Sequence, residues 1–263
     1  YDENDLIENP IYIVEDIIRT ELSSTTIDTA SFDVSGNTSN GLIKNVFDED
    51  NTTDIRFAFS QNRFINSKNL IENIGSLCGT FFFLSAGKTF KTATLEKDAD
   101  YASGDAVVNI DYNLITLDSI ALTPVNAVRN SITVEYDYDY ANKQTKKSIT
   151  STDSTSQGTT VNGVSQTLEF ELEADKILDT TTATALALYY KDISKDRKIV
   201  IMFDSPSPRY NSLEVGDIIN FENWDANVKL YGTAMTTSFL FIITQTTKRP
   251  DGCEFVITEV GRP

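Results

Sequence analysis

The sequence predicts an α+β fold that is mainly β, arranged as two domains. Three observations lead there. Short apolar runs bounded by turn residues recur along the whole chain, as strands require. Only three segments, beginning near Pro10, Ser67 and Thr180, carry apolar residues at helical spacing. In the final third, Lys198–Phe203, Ile218–Phe221, Phe239–Ile243 and Glu254–Thr258 follow one another as β-rich runs, which predicts a small barrel or sandwich. With 263 residues and 40% hydrophobic content the chain can fill two cores. The break at Thr123-Pro124 places the boundary there, giving a domain over 1–124 with an inserted loop region and a second over 125–263.

In order, Asn9 is suited to cap a helix and Pro10 to occupy its first turn, with Ile11, Val14, Ile17, Ile18 and Leu22 on one face. Residues 23–40 are polar, and Ile27, Phe32 and Val34 suggest a short strand or a pinned loop. Ile55, Phe57 and Phe59 alternate as in a strand. Ser67 is expected to cap a second helix whose face is Leu70, Ile71, Ile74, Leu77 and Cys78, ended by Gly79. Phe81, Phe82 and Phe83 then read as a strand buried on both faces, with Phe90–Leu95 returning as a hairpin arm. From Val128 a strand runs into an alternating segment with Val134, Tyr136, Tyr138 and Tyr140 on one face and Glu135, Asp137 and Asp139 on the other.

Residues 143–163 are polar and read as an exposed loop or hairpin tip. Leu168, Phe170 and Leu172 alternate with Glu169 and Glu171, a second strand with an acidic face. Thr180, Thr181 and Thr182 can cap the third helix, which carries Ala183, Leu186, Ala187, Tyr189 and Tyr190. Gly216 and Asp217 then turn the chain into Ile218–Phe221, where Ile219 is a core position. Arg249–Gly252 turns between the last two strands.

The composition narrows function. With 22 basic and 39 acidic residues the net charge is −17, which repels nucleic acid and anionic lipid and argues against stable nucleic-acid binding. No apolar run is long enough for a membrane-spanning helix. There are 0 histidines, so Ser-His and Cys-His catalysis within the chain is excluded and the commonest metal ligand is missing. The loop Phe47–Asp54 carries Asp48, Glu49, Asp50 and Asp54 but not the order of an EF-hand, and it reads as a solvated turn. Glu135, Asp137 and Asp139 are carboxylates that a calcium site or a carboxylate-based glycan hydrolase would use, but on one strand they point the same way without a facing partner, and an outward acidic face explains them. Cys78 and Cys253 read as buried free thiols. Trp224, with Tyr136, Tyr138 and Tyr210, is the set that a carbohydrate- or receptor-binding module would use; core or interface positions explain the same residues. No catalytic, cofactor-binding or metal residue is therefore assigned, and the chain is expected not to be an enzyme. Tyr1 in place of an initiator methionine is expected of a chain cut from a longer polypeptide or processed.

Taken in order, the capped first helix, the helix and hairpin over Asn69–Phe83, the strand opening at Asn130–Val134, the helix Ala183–Tyr190, the turn and strand Leu213–Ile219 and the hairpin Asp251–Val256 resemble the tail hub proteins of tailed bacteriophages. The resemblance covers most of the chain. It implies two small β-barrel-like or split-barrel domains with short flanking helices, and a structural adaptor at the distal end of the tail tube in the virion. It also implies a homo-oligomeric ring, typically threefold, with tube, spike and fibre proteins as partners and DNA passing through its lumen. No recognisable lysozyme, peptidase or receptor-binding extension accompanies these motifs.

Overall fold

Backbone satisfaction and apolar burial select a small set of elements from this pattern. The computed structural model describes residues 7–23, 26–32, 55–58, 66–85, 87–95, 101–158, 165–206 and 208–261. Its helices are α1 (Pro10–Asp16), α2 (Thr29–Phe32), α3 (Ser67–Cys78) and α4 (Thr180–Ser194). The first strands are β1 (Thr80–Leu84), β2 (Phe90–Thr94), β3 (Val108–Asp111), β4 (Thr116–Leu122), β5 (Ser131–Asp139), β6 (Gln144–Thr152) and β7 (Glu169–Glu173). The later ones are β8 (Ile199–Ser205), β9 (Ile218–Glu222), β10 (Lys229–Leu230), β11 (Thr233–Ala234), β12 (Leu240–Arg249) and β13 (Gly252–Gly261). The fold is α+β and mainly β.

The chain divides into two units, each built from two stretches: Tyr1–Glu96 with Arg129–Asp196, and Lys97–Val128 with Arg197–Pro263. Pro124 lies inside the second unit. The reason is strand pairing at long range, since β3 pairs in parallel with β9 and β4 pairs with β8, which ties residues 108–122 to the C-terminal strands.

In the first unit the Asn9 side chain accepts from the Ile11 N–H at 2.9 Å, and α1 widens into a π-helical turn over Ile17–Glu21. Ile11, Val14 and Ile18 are fully buried, whereas Leu22, expected on the same face, is exposed. The cap of α3 is Asn66, whose side chain accepts from the Lys68 N–H, so Ser67 is the first helical residue. Gly79 ends α3 in the left-handed region at φ 64°, and a Cβ there would collide with the Tyr189 ring. Ile55 and Phe57 are buried as the alternation requires, but Ile55–Ala58 pairs with no described strand: the Phe57 and Ala58 N–H groups donate to the carbonyls of Glu8 and Lys176. Phe59, Val34 and the Asp48–Asp54 loop lie outside the described residues.

The β1–β2 hairpin corrects a second expectation. Phe82 packs on the core, but Phe81 is 49% exposed and Phe83 half-buried, because a two-stranded hairpin can cover its core with one face only. Residues 144–152, within the segment expected as an exposed loop or hairpin tip, form β6, an edge strand whose single inward aliphatic is Ile149. The sheet order is β6-β5-β7, with β6 antiparallel and β7 parallel to β5. Helix α4 contributes Ala183, Leu186, Ala187 and Tyr189 to the core of this unit; its cap is Asp179, not the threonines that follow.

The second unit is a six-stranded half-barrel of order β3-β9-β12-β13-β8-β4. Gly216 at φ 95° turns the chain into β9, its N–H donating to the Ile243 carbonyl, and the Asp217 carboxylate closes the turn by accepting from the Glu214 N–H at 2.8 Å. Ile219 is fully buried, as its place in the pattern predicts. Phe203 lies at the centre of the core, its ring 5.3 Å from Phe255 and 5.7 Å from Phe221. The turn expected at Arg249–Gly252 joins β12 to β13.

Candidate assembly surface

The two strands with acidic alternation, β5 and β7, lie side by side. Because β7 is parallel to β5, Thr133 falls opposite Glu171 and Glu135 opposite Glu173. Phe170 and Leu172 turn inward and pack on the core, which sends Glu169, Glu171 and Glu173 to the exposed face. The Glu135 and Glu171 carboxyls share a hydrogen bond, and this contact, with the charge of Glu135 and then burial, Glu173 and Glu169, holds the Glu171 carboxyl above the ordinary glutamate value. Glu135 also accepts from Thr145 Oγ1 at 2.8 Å. Glu169, Glu171 and Glu173 make no ion pair with a described residue.

The far edge of the sheet has the opposite character. On β6, Lys146 and Lys147 are exposed, with Ser148, Thr150 and Thr152 also open to solvent. Lys146 lies 3.2 Å from Asp139 and Lys147 2.9 Å from Asp137, while Lys147 Nζ sits 5.8 Å above the Tyr136 ring. Asp139 accepts from the Asn142 side chain and from the Asn142 and Ala141 N–H groups, and with Lys146 these hold its pKa down to about 2. Asp137 adopts φ 60°, so the strand does not continue as one uninterrupted acidic face. Of the three β5 carboxylates, Asp137 and Asp139 are thus engaged by lysines, and Glu135 alone joins the β7 glutamates.

The aromatic residues considered for sugar stacking divide between the two units. Tyr136 is buried, its hydroxyl 3.0 Å from Thr180 Oγ1, and Tyr138 packs edge-on against Tyr140; both belong to the first unit. In the second unit Tyr210 is buried and its hydroxyl accepts from the Asp111 N–H. Trp224 is half-buried between Phe221 and Tyr112, its Nε1 donating to the Val228 carbonyl. A cavity of about 300 Å³ in this unit is lined by Val107, Val108, Arg209, Tyr210, Ser212, Leu213 and Asp217, with the Arg209 guanidinium over the Tyr210 ring. Its charged groups are Arg209 and the turn-closing Asp217. Among the described residues no three His, Cys, Asp or Glu side chains group to hold a metal, and no helix is long and apolar enough to cross a membrane.

Two features escape sequence reasoning. One is β6 itself, whose signal was the β-branched series Thr145, Ile149, Thr150 and Thr152. The other is Glu259, fully buried on β13, which accepts from the Ile199 N–H at 2.9 Å and the Tyr231 hydroxyl at 2.6 Å, tying the β10–β11 hairpin to the start of β8. No local pattern distinguishes it from a surface glutamate.

No protein-family model matches the chain, and no curated protein is significantly similar to it. Solved structures are. A prophage MuSo2 43 kDa tail protein from Shewanella oneidensis aligns with TM-score 0.42 and 10% identity over 77% of this chain and 57% of its own. The chain resembles phage tail proteins. A prophage tail protein from Listeria monocytogenes aligns with TM-score 0.40 and 13% identity over 72% of this chain and 51% of its own. A chain of the native gene transfer agent virion aligns with TM-score 0.44 and 9% identity over 74% of this chain and 39% of its own. The chain therefore spans about half the length of the tail and virion proteins it matches.

Proposed function

We propose that this chain is a structural component of a phage-type tail: a hub or baseplate protein at the distal end of the tail tube, joining the tube to a spike, fibre or tail-tip module. The observation that carries the reading is the order of its motifs on the fold. Asn130–Val134 leads into and opens β5, Ala183–Tyr190 forms the buried part of α4, Leu213–Ile219 turns through Gly216 into β9, and Asp251–Val256 opens β13. These are the segments that resemble tail hub proteins, and each lies on, or turns into, an element that shapes one of the two units. The role is non-enzymatic. Its partners are other tail proteins and further copies of itself in a ring, possible stoichiometries including the trimer typical of hubs. The net charge of −17 suits a lumen that phosphate backbones pass without adhering.

Particles assembled without this chain test the reading. Tail tubes lacking their distal module are the expected product. Tails that retain a complete distal module would refute it.

A further inference from the structure

The three-stranded sheet ends in two edges of opposite chemistry. Neither β6 nor β7 pairs with any other described strand on its outer side. The β7 edge carries Glu169, Glu171 and Glu173, and the β6 edge carries Lys146 and Lys147 followed by the hydroxyls of Ser148, Thr150 and Thr152. Open edges of this kind are templates for pairing with another chain. Strand direction decides which pairing is available. Since β6 runs antiparallel and β7 parallel to β5, a second copy placed in the same orientation sets its β6 antiparallel to the first copy's β7 and continues the sheet without inversion.

We propose that copies of this chain join head to tail, the β7 edge of one against the β6 edge of the next, with the β7 glutamates facing Lys146 and the hydroxyls of Ser148, Thr150 and Thr152, which share the outer face of β6. The occupant is a second copy because this chain supplies both complementary edges. Two β7 edges brought together would set carboxylate against carboxylate, and two β6 edges would set lysine against lysine, arrangements that like-charge repulsion disfavours. The mixed pairing relieves the crowding of Glu171 against Glu135 and Glu173. Lys146 can take part because its own side chain stays 53% exposed in its pair with Asp139, which leaves the ammonium open to a second carboxylate. Each copy uses two different surfaces, so the contact is heterologous and generates a ring where the rotation closes. The inference rests on the tail-ring reading, and names the contact that would build the ring.

Sedimentation velocity of the full chain at low and high salt tests it. The wild type is expected to self-associate at low salt and to dissociate as salt rises. Glu171→Lys or Lys146→Glu should each raise the concentration of half-association at least ~10-fold, and the chain carrying both changes should recover most of that loss. Hydrogen exchange read on the wild type alone should show amides of β6 and β7 slowing on association, a readout that does not depend on the variants folding. A monomeric wild type, association indifferent to both changes, a folded double variant that fails to recover, or unchanged exchange at β6 and β7 would each overturn the proposal. A monomeric chain found at the tail tip would defeat this contact and leave the tail role standing, whereas a self-associating chain absent from the tail axis would do the reverse.

Discussion

Phe203→Ala is the sharpest perturbation of the second unit. Phe203 is fully buried in β8, opposite Phe255 on β13 and Leu117 on β4, with its ring 5.3 Å from Phe255 and 5.7 Å from Phe221. Truncating a buried Phe to Ala costs about 3–5 kcal/mol through lost transfer energy and the cavity left behind. Each aromatic pair contributes a further ~0.5–1.5 kcal/mol beyond its area, and two are lost here, which puts the expectation at the upper end, about 4–5 kcal/mol. That is a large share of the roughly 5–15 kcal/mol that holds an ordinary domain folded. Phe203→Leu, which keeps most of the volume, should cost about 1–2 kcal/mol. Urea unfolding followed by tryptophan fluorescence isolates the effect, because the sequence has 1 Trp and Trp224 packs at 5.0 Å against Phe221 in this same core. A Trp224 transition displaced by less than ~1 kcal/mol in Phe203→Ala would refute the packing argument, since no buried Phe at a sheet centre is truncated so cheaply.

Tyr231→Phe removes the hydroxyl that donates to the buried Glu259 carboxylate and should destabilise the second unit by about 1–3 kcal/mol, read in the same fluorescence transition. An unchanged midpoint would show that the carboxylate does not depend on this donor. Asp179→Ala, which strips the cap of α4 from the Thr182 N–H, should cost about 1 kcal/mol in thermal unfolding followed by circular dichroism; no loss would move the cap elsewhere. For Glu171 the folded-state pKa is raised above 4.5, so its contribution to stability is present in full below that value and is lost as pH rises through the folded-state value. Glu171→Gln should therefore melt higher than the wild type near neutral pH and match it in acid, and equal melting near neutrality would contradict the carboxylate crowding. Burial pushes the Cys78 thiol up to about 12, so it should resist alkylation in the folded chain and react only on unfolding; rapid labelling of native protein at Cys78 would contradict its burial.

Much of the fold is legible where local chemistry decides it. Asn9 and Pro10 dictate the start of α1, Gly79 ends α3, and Gly216 with Asp217 turns the chain into β9, because each acts on its own backbone. Caps shift by a residue, from Ser67 to Asn66 and from Thr180 to Asp179, since neighbouring Asn, Asp, Ser and Thr all satisfy the same orphan N–H groups. Strands that lean on the core through one side chain are harder to see: β6 exposes its lysines and hydroxyls and buries only part of Ile149. The two discontinuous units are invisible to periodicity, because the pairing of β3 with β9 and of β4 with β8 joins partners as far apart in the chain as Val108 with Ile219 and Leu122 with Ile199. Phe81 shows the converse, an apolar run that looks buried on both sides until the hairpin turns out to have one covered face. For the assembly surface, the alternation of Glu169 and Glu171 is readable, but its extension to Glu173 and its alignment with Glu135 require the parallel register of β5 and β7.

The proposed tail role puts this chain on the tail axis, as a copy in a ring at the end of the tube. Electron microscopy of the intact particle, with the chain located by its density and its copies counted, measures this directly. The account predicts a closed ring of identical copies around the tail axis at the distal end of the tube; a chain found on a fibre tip away from that axis would contradict it.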